Sequence, residues 1–474
     1  MTQNLSLQVT QDAALPGEAG ALQPRLKTWF YAALALLLVA RLALMALGPL
    51  ADTTEARYGE LARQTVVHGY WLMPHMDAQT PFFAKPPLST WSSAVAMELL
   101  GVNEFAARLP ALLFSSLAAW ICYAWAGAHG VRQRWLVLPV LAATPIFFVS
   151  AGAVMTDAVQ MLVVGGAQYF AWLAMQEKSR RARLAFWAFI GLGALAKGLA
   201  TWALIGMPIL AWAMLPGRRL AELWELWDWR GVLLALLLFV PWYAAAEHAY
   251  PGFLSYFIVG EHFSRFLVPG WTGDRYGFAH RQPWGAIWVF WLGGVLPWIV
   301  LFATRLTAVL RLRRATPLEA YLWCATLVPL LFFTFSRNII GTYTLTAVPA
   351  FAVLAAGWLD RMEAAALRKA GMALAGFALL VLLAVPFILS RQEMSSERAL
   401  LRAAAQAAPG APLQYLAKPA FSSAFYGDTL IQPAAPGAPM PASGLVVVDN
   451  EKVAAIRGRV LFHGAHRTLL EVTP

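Results

Sequence analysis

Asp52-Thr53-Thr54-Glu55-Ala56-Arg57-Tyr58-Gly59-Glu60 is a dense polar run set between stretches that are almost wholly apolar. Before it, residues 27–50 carry no charge beyond Lys27 at the entrance and Arg41. After it, a second long apolar run begins near residue 107. About 20 such residues are needed for a helix to cross roughly 30 Å of hydrocarbon, and both runs qualify. The polar island continues through Pro81-Phe82-Phe83-Ala84-Lys85-Pro86-Pro87 and closes at Asn103-Glu104-Phe105-Ala106-Ala107-Arg108. Carboxylates and cations gathered beside a membrane are costly to keep dry, which marks residues 51–108 as a candidate functional segment.

The whole chain supports that reading. Its 474 residues are 59% hydrophobic and 13% charged, with net charge +11. That composition predicts a polytopic helical membrane protein rather than a soluble one. A basic balance can signal nucleic acid, but here the cations cluster between apolar runs, as in Lys178–Arg183 and Arg305–Arg314, which is the pattern of cytoplasmic loops. Nucleic-acid binding is therefore set aside. Cys122 and Cys324 both lie in apolar runs and read as small buried hydrophobes.

Hydropathy places spans at about 27–50, 107–127, 134–152, 157–176, 184–197, 199–215, 231–248, 285–304, 318–335, 339–358 and 370–389. With eleven crossings, every basic cluster falls on the side of the N-terminus, at 132–134, 178–183, 218–219, 305–314 and 361–369. The expected architecture is an all-α polytopic membrane protein of about eleven or more spans. Residues 1–26 are read as a disordered cytoplasmic tail and 27–390 as the membrane domain. Residues 391–474, with short β-like runs and Pro/Gly/Ala-rich linkers, are read as a small extracytoplasmic α/β domain. Loops 51–108 and 249–283 face the side away from the basic clusters. Within the first, Thr54–Val67 places Tyr58, Leu61, Ala62 and Val66 on one face of an interfacial helix. The leading tail carries no signal-peptide pattern.

Asp52 and Glu55 are the strongest pair of candidate acids, three residues apart at a helix entrance. The same spacing is that of a capping box, with Asp52 as cap and Glu55 reaching back. Lys85, before Pro86-Pro87, would stand at a helix N-terminus suited to phosphate, or else snorkel to the headgroups. Arg57, Arg108 and Arg337 could add planar forks to the same phosphate. Arg41 must face a polar cleft or snorkel. Asp157 reads as an N-cap, and Lys197 as a single cation at an outer turn. Glu261-His262 with Arg265 nearby reads as structural, or as a metal or substrate contact. No P-loop, dinucleotide fingerprint or serine elbow is present.

Together these blocks resemble the first loop of the ArnT-type and protein-mannosyltransferase-like membrane glycosyltransferases of the GT-C fold. The resemblance rests on Asp52–Arg63, Gly69–His75, Phe83–Leu88 and Asn103–Pro110, with later echoes at Thr156-Asp157, Gly260–Phe266, Ser336–Asn338, Tyr343 and Pro349. It implies transfer of a sugar from a polyprenyl (undecaprenyl) phosphate carrier to an acceptor at the outer face of a bacterial inner membrane. In the ArnT branch the donor sugar is 4-amino-4-deoxy-L-arabinose and the acceptor lipid A. Carried over, Asp52 or Glu55 is the acid. Lys85, Arg57 and Arg337 (with Arg108) hold the carrier phosphate, while Tyr58, Asp157, Lys197, His262, Arg265 and Tyr343 support substrate. The family's Asp-Glu-x-Arg-Tyr reads Thr54-Glu55-Ala56-Arg57-Tyr58 here, and the Glu preceding the loop lysine is Ala84. The second departure bears on any divalent metal shared with His262. The alternatives are a related enzyme with a different sugar and acceptor, such as a protein O-mannosyltransferase, or a lipid flippase or transporter.

Overall fold

A computed structural model describes residues 16–217, 220–277, 280–307, 315–427, 430–434 and 443–473. Helix α1 spans Pro16–Leu47, so the first helix begins well before Lys27; residues 1–15 of the expected tail lie outside the described residues. The first loop then folds as α2 (Thr54–His68), the small hairpin β1 (His75–Asp77) and β2 (Thr80–Pro81), and α3 (Leu88–Leu100). α2 buries Tyr58, Leu61 and Ala62 of the expected face and leaves Val66 half-buried, but it also buries Ala56, Gly59, Glu60, Arg63 and Thr65, so more than one face is covered.

Helix α4 (Glu104–Ala128) starts where the Asn103 side chain accepts the Ala106 N–H. It is followed by α5 (Val137–Ala143), α6 (Pro145–Ser150), α7 (Asp157–Glu177), α8 (Arg180–Lys197), α9 (Leu199–Ala213) and α10 (Trp229–Ala249). A wide, π-helical stretch, Ser255–Ser264, runs into the short α11 (Arg265–Leu267). Then come α12 (Ala286–Gly294), α13 (Ile299–Arg305), α14 (Pro317–Thr334), α15 (Val348–Asp360), α16 (Ala364–Leu383) and α17 (Val385–Met394). Among the described residues, seven helices are long and apolar enough to cross a membrane. Two expected crossings, 134–152 and 285–304, are broken where proline denies the backbone its next hydrogen bond, and a third proline follows the end of α16. Pro145 opens α6, Pro297 separates α12 from α13, and Pro386 lies in the first turn of α17.

The chain is a membrane-spanning helical bundle. α1 lies along α16, and α7 packs on both α4 and α8. The core between them is large and apolar, with Trp125, Trp212, Trp291, Trp323 and Phe351 all fully buried. Cys122 and Cys324 are free and buried in it. Beyond α17, α18 (Arg398–Ala407) and α19 (Phe421–Gly427) accompany a five-stranded sheet. Its strands are β3 (Leu413–Tyr415), β4 (Ile431–Pro433), β5 (Gly444–Asp449), β6 (Arg459–His463) and β7 (Arg467–Val472), in the order β4-β3-β5-β7-β6. The first three are parallel, with Leu413 opposite Ile431 on one side and Leu445 on the other; β7 pairs antiparallel with β5 and β6.

The capping-box alternative is not what this backbone uses. Thr53 precedes α2, and no side chain caps the helix. Glu55 instead meets Arg108 across the loop, Arg108 Nη2 to Glu55 Oε2 at 2.6 Å and Nε to Oε1 at 2.8 Å. The remaining Arg108 donors reach the carbonyls of Met45, Gly48 and Pro49 at the end of α1. Arg108 therefore corrects its expected role as a phosphate ligand: it is 1% exposed and its donors are spent on the frame. Arg108→Ala is expected to lower stability by roughly 3–5 kcal/mol, since the half-buried Glu55 carboxylate and the α1 carbonyls would lose a fully buried partner. Thermal unfolding in detergent measures this; a loss below about 1 kcal/mol would place the frame's strength elsewhere.

Candidate active site

The helix ends and loops on one face of the bundle enclose two neighbouring cavities. One, of about 1030 Å³, is polar and is walled by α2, the β1–β2 hairpin, the loop after Ser264 and the C-terminal domain. The other, of about 490 Å³, is lined chiefly by apolar side chains, among them Leu199, Phe257, Phe266 and Phe333. Lys85, Lys197, Arg265 and Tyr343 line both and so stand at their junction.

Each junction cation is fixed by a carboxylate. Lys85 Nζ lies 2.6 Å from Glu261 Oε2. Arg265 Nη1 reaches Glu261 at 3.2 Å and Asp274 at 3.0 Å. Lys197 Nζ is 2.9 Å from both Asp157 Oδ1 and Gln160 Oε1, and it lies over the Tyr343 ring at 4.9 Å. Burial alone would push the Glu261 carboxyl up, but Lys85 and Arg265 hold it below the ordinary value of 4.5. Burial works against the Arg265 charge as well, yet Glu261, Tyr343 and Asp274 raise its pKa.

Local sequence explains how these groups arrive. Pro86-Pro87 ends the extended segment at the start of α3 and leaves Lys85 at the entrance. Lys197 closes α8, where Gly198 at φ 69° turns the chain back into α9. The loop carrying Glu261, Arg265 and Asp274 is stitched to residues 336–339: Gln282 N–H donates to the Arg337 carbonyl and Ile339 N–H to that of His280. The Asn338 side chain completes the seam, donating to the carbonyls of Arg265 and Val268 and accepting from Gly270.

Of the residues singled out from sequence, Arg57, Tyr58, Lys85, Asp157, Lys197, Arg265 and Tyr343 line the polar cavity together. Arg57 Nη1 donates to the Tyr276 carbonyl at 2.6 Å, while its guanidinium faces the Tyr58 and Phe421 rings. Asp157 corrects its reading as an N-cap: Thr156 occupies that position, and Asp157 forms the first residue of α7 with its carboxylate on Lys197. Arg337 corrects its reading as a phosphate contact, because it faces Trp284 and donates to the Gln282 carbonyl outside both cavities. Asp52 and Glu55, the expected acids, line neither. Ser422 grips Asp52 through both its hydroxyl and its N–H, and burial raises the Asp52 pKa. Glu55 is clasped by Arg108 and accepts the Val154 N–H at 3.2 Å.

His262 lines the apolar cavity, with ring nitrogens 2.8 Å from the Phe257 carbonyl and 3.1 Å from that of Lys197. With both nitrogens on carbonyls and Ala84 at the neighbouring position, these side chains do not fit a metal ion. Among the described residues no group of three His, Cys, Asp or Glu stands at ligating geometry. The cavity residues missed from sequence include Asp77, Asp274, Arg275 and Lys418, each of which looks like an ordinary loop charge until the chain is folded.

Comparison with known proteins agrees with this architecture. A crystal structure of ArnT from Cupriavidus metallidurans bound to undecaprenyl phosphate superimposes with a TM-score of 0.76 at 20% identity, covering 97% of this chain and 100% of that one. Its apo state gives 0.77 at 19% identity, covering 94% and 99%. This chain has the GT-C fold of ArnT. Residues 84–244 of the ArnT-like fold match the family described as dolichyl-phosphate-mannose-protein mannosyltransferase. Curated relatives include the undecaprenyl phosphate-alpha-4-amino-4-deoxy-L-arabinose arabinosyl transferase of Erwinia tasmaniensis, 31% identical over 64% of this chain and 53% of its own length. An enzyme of the same name from Pseudomonas fluorescens is 28% identical over 69% of this chain and 58% of its own. The chain thus spans a little over half the length of these relatives, and it resembles the ArnT-type glycosyltransferases.

The Glu261 pairs carry a pH signature. A carboxyl whose folded pKa is depressed adds stability above its unfolded value, near 4.5, and loses it as pH falls through the folded value. Glu261→Gln is expected to flatten the dependence of the unfolding midpoint below about pH 4.5. An unchanged acid limb would mean that other carboxylates carry the transition.

Proposed function

We propose that this protein is a membrane glycosyltransferase that moves a sugar from a polyprenyl phosphate carrier to a glycolipid of the cell envelope. The favoured pair is 4-amino-4-deoxy-L-arabinose as sugar and lipid A as acceptor. The observation that carries this reading is the junction: Lys85, Lys197 and Arg265 stand where an apolar cavity meets a polar one. A prenyl chain suits the first and a sugar with its acceptor the second, which puts the carrier phosphate among the cations between them. The named ligands and activities of the ArnT-type relatives point the same way. The reaction is assigned to the outer face of a bacterial inner membrane, with the N-terminus cytoplasmic and the C-terminal domain periplasmic. This orientation follows from the basic clusters of the opposite loops.

In the proposed step the acceptor hydroxyl oxygen attacks the anomeric carbon and forms the new C–O bond. The bond from that carbon to the phosphate oxygen breaks, and the carrier phosphate keeps its electron pair. Lys85 and Arg265 are poised to receive the developing charge in a water-poor setting, where fixed cations act most strongly. Asp157 is the carboxylate lining the polar cavity beside Lys197, and we assign it to orient the hydroxyl and take its proton. Asp52 and Glu55 hold the frame instead. Glu261 keeps Lys85 and Arg265 apart from each other's repulsion until phosphate enters.

Purified protein given a radiolabelled undecaprenyl phosphate sugar and lipid A tests the reading. Lys85→Ala is expected to lower turnover about 10²–10³-fold. Asp157→Asn should lower it by about 10²–10⁴-fold with little change in binding of undecaprenyl phosphate. Transfer by both variants at the wild-type rate would remove the junction from the mechanism. The same assay with a mannosyl carrier and a peptide acceptor would reveal an O-mannosyltransferase.

A further inference from the structure

Lys85 reaches the junction from the segment between β2 and α3, where no helix or long strand fixes the backbone. Arg265 and Arg57 come from the second loop and from α2. Cations that are to share one phosphate need their main chains in a set relation, since a displacement of about 1 Å already weakens a positioned contact. Tyr276 supplies such a relation. Its hydroxyl donates to the Pro81 carbonyl at 2.7 Å and accepts the Phe83 N–H at 3.0 Å, gripping the chain just ahead of Lys85.

The same residue reaches the other two cations through its own backbone. The Tyr276 N–H donates to Asp274 Oδ1 at 3.0 Å, and the other oxygen of that carboxylate holds Arg265 Nη1 at 3.0 Å. The Tyr276 carbonyl accepts Arg57 Nη1 at 2.6 Å. Tyr276 is 6% exposed, and its ring packs against Phe82 at 4.7 Å and Tyr256 at 5.9 Å. Phenylalanine would fill that space as well, so the hydroxyl is what packing leaves unexplained. Burial raises the phenol's pKa above its ordinary value, so the proton stays on oxygen and serves Pro81. With that proton committed to the backbone, Tyr276 has none to lend to reacting atoms.

We propose that Tyr276 is a positioning residue for the transfer reaction. Its hydroxyl clamps the segment that carries Lys85 against the second loop, so that Lys85 and Arg265 stand ready for one phosphate before the carrier binds. The inference rests on the transferase reading and adds to it a residue that acts through Lys85. Removing the hydroxyl would leave a buried backbone donor and acceptor without their partner, and the segment would shift to satisfy them. The bonds from the Tyr276 backbone to Asp274 and Arg57 do not involve the side chain. Loss of the hydroxyl therefore uncouples the first loop alone and leaves the Arg265 side of the clamp in place.

The test is binding of undecaprenyl phosphate to full-length protein in nanodiscs of neutral lipid, reading both the Kd and the number of sites. Tyr276→Phe is expected to weaken binding about tenfold with the number of sites unchanged. Lys85→Ala should weaken it further, and adding Tyr276→Phe to that variant should change nothing more, because the hydroxyl acts through Lys85. Binding by Tyr276→Phe at the wild-type Kd, or the same tenfold loss in the Lys85→Ala background, overturns the proposal. Loss of sites at an unchanged Kd marks a merely structural residue and overturns it too. Amide exchange on the wild-type protein decides the matter if Tyr276→Phe does not fold. The Phe83 N–H is expected to be protected without ligand and slowed no further by undecaprenyl phosphate; protection that arises only with ligand overturns the clamp. The parent reading fails on a different measurement: Lys85→Ala binding undecaprenyl phosphate as tightly as wild type.

Discussion

Lys85 and Arg265 meet over one carboxylate, Glu261, at the rim of an apolar bundle. Two cations held close at reduced dielectric repel strongly, and a buried carboxylate between them is costly unless both are present. Each partner thus requires the others. Lys85 comes from the first loop and the other two from the loop after α10, so this single cluster dictates how the loops approach. It also explains the seam to residues 336–339, which keeps Arg265 from drifting.

A second ionic cluster does a different job. Arg108 ties Glu55 to the end of α1, and Arg398 reaches Glu104 at 2.8 Å and the Leu47 carbonyl at 2.9 Å. Asp52 joins the same region to Ser422. These contacts lock the first loop between the bundle and the C-terminal domain. Asp52 and Glu55, the acids that looked most like chemistry, are held in these contacts, whereas Glu60, Asp77, Asp157 and Asp274 line the polar cavity. Charges that hold the frame and charges that line the cavity are separated by only a few residues of sequence, as Glu55 and Arg57 show.

Much of the architecture was legible from periodicity and charge. The apolar runs became helices near their expected bounds, with breaks at Pro145 and Pro297, because hydrocarbon demands backbone bonding within each span. Burial of Tyr58, Leu61 and Ala62 on α2 followed from spacing, but that of Glu60 and Arg63, which pair with each other, did not. Nor did the partners of ionic side chains. Asp52-x-x-Glu55 satisfies a capping box as well as an acid pair, and local spacing contains no information about Ser422 or Arg108, hundreds or tens of residues away. Arg337 illustrates the same limit: its neighbour Asn338 makes the loop seam, while Arg337 turns to Trp284.

Sequence by itself determined that the chain spans a membrane and that many of its polar and charged loop residues gather on one face; of the eleven runs expected to cross, seven form helices long and apolar enough among the described residues. Those properties depend on transfer of side chains and backbone into hydrocarbon, which is additive along the chain. Tertiary structure decided which charges pair, which line the cavity, and that the C-terminal domain supplies part of its wall. Coulomb energy depends on distance in space and on local burial, and neither exists until the helices have packed.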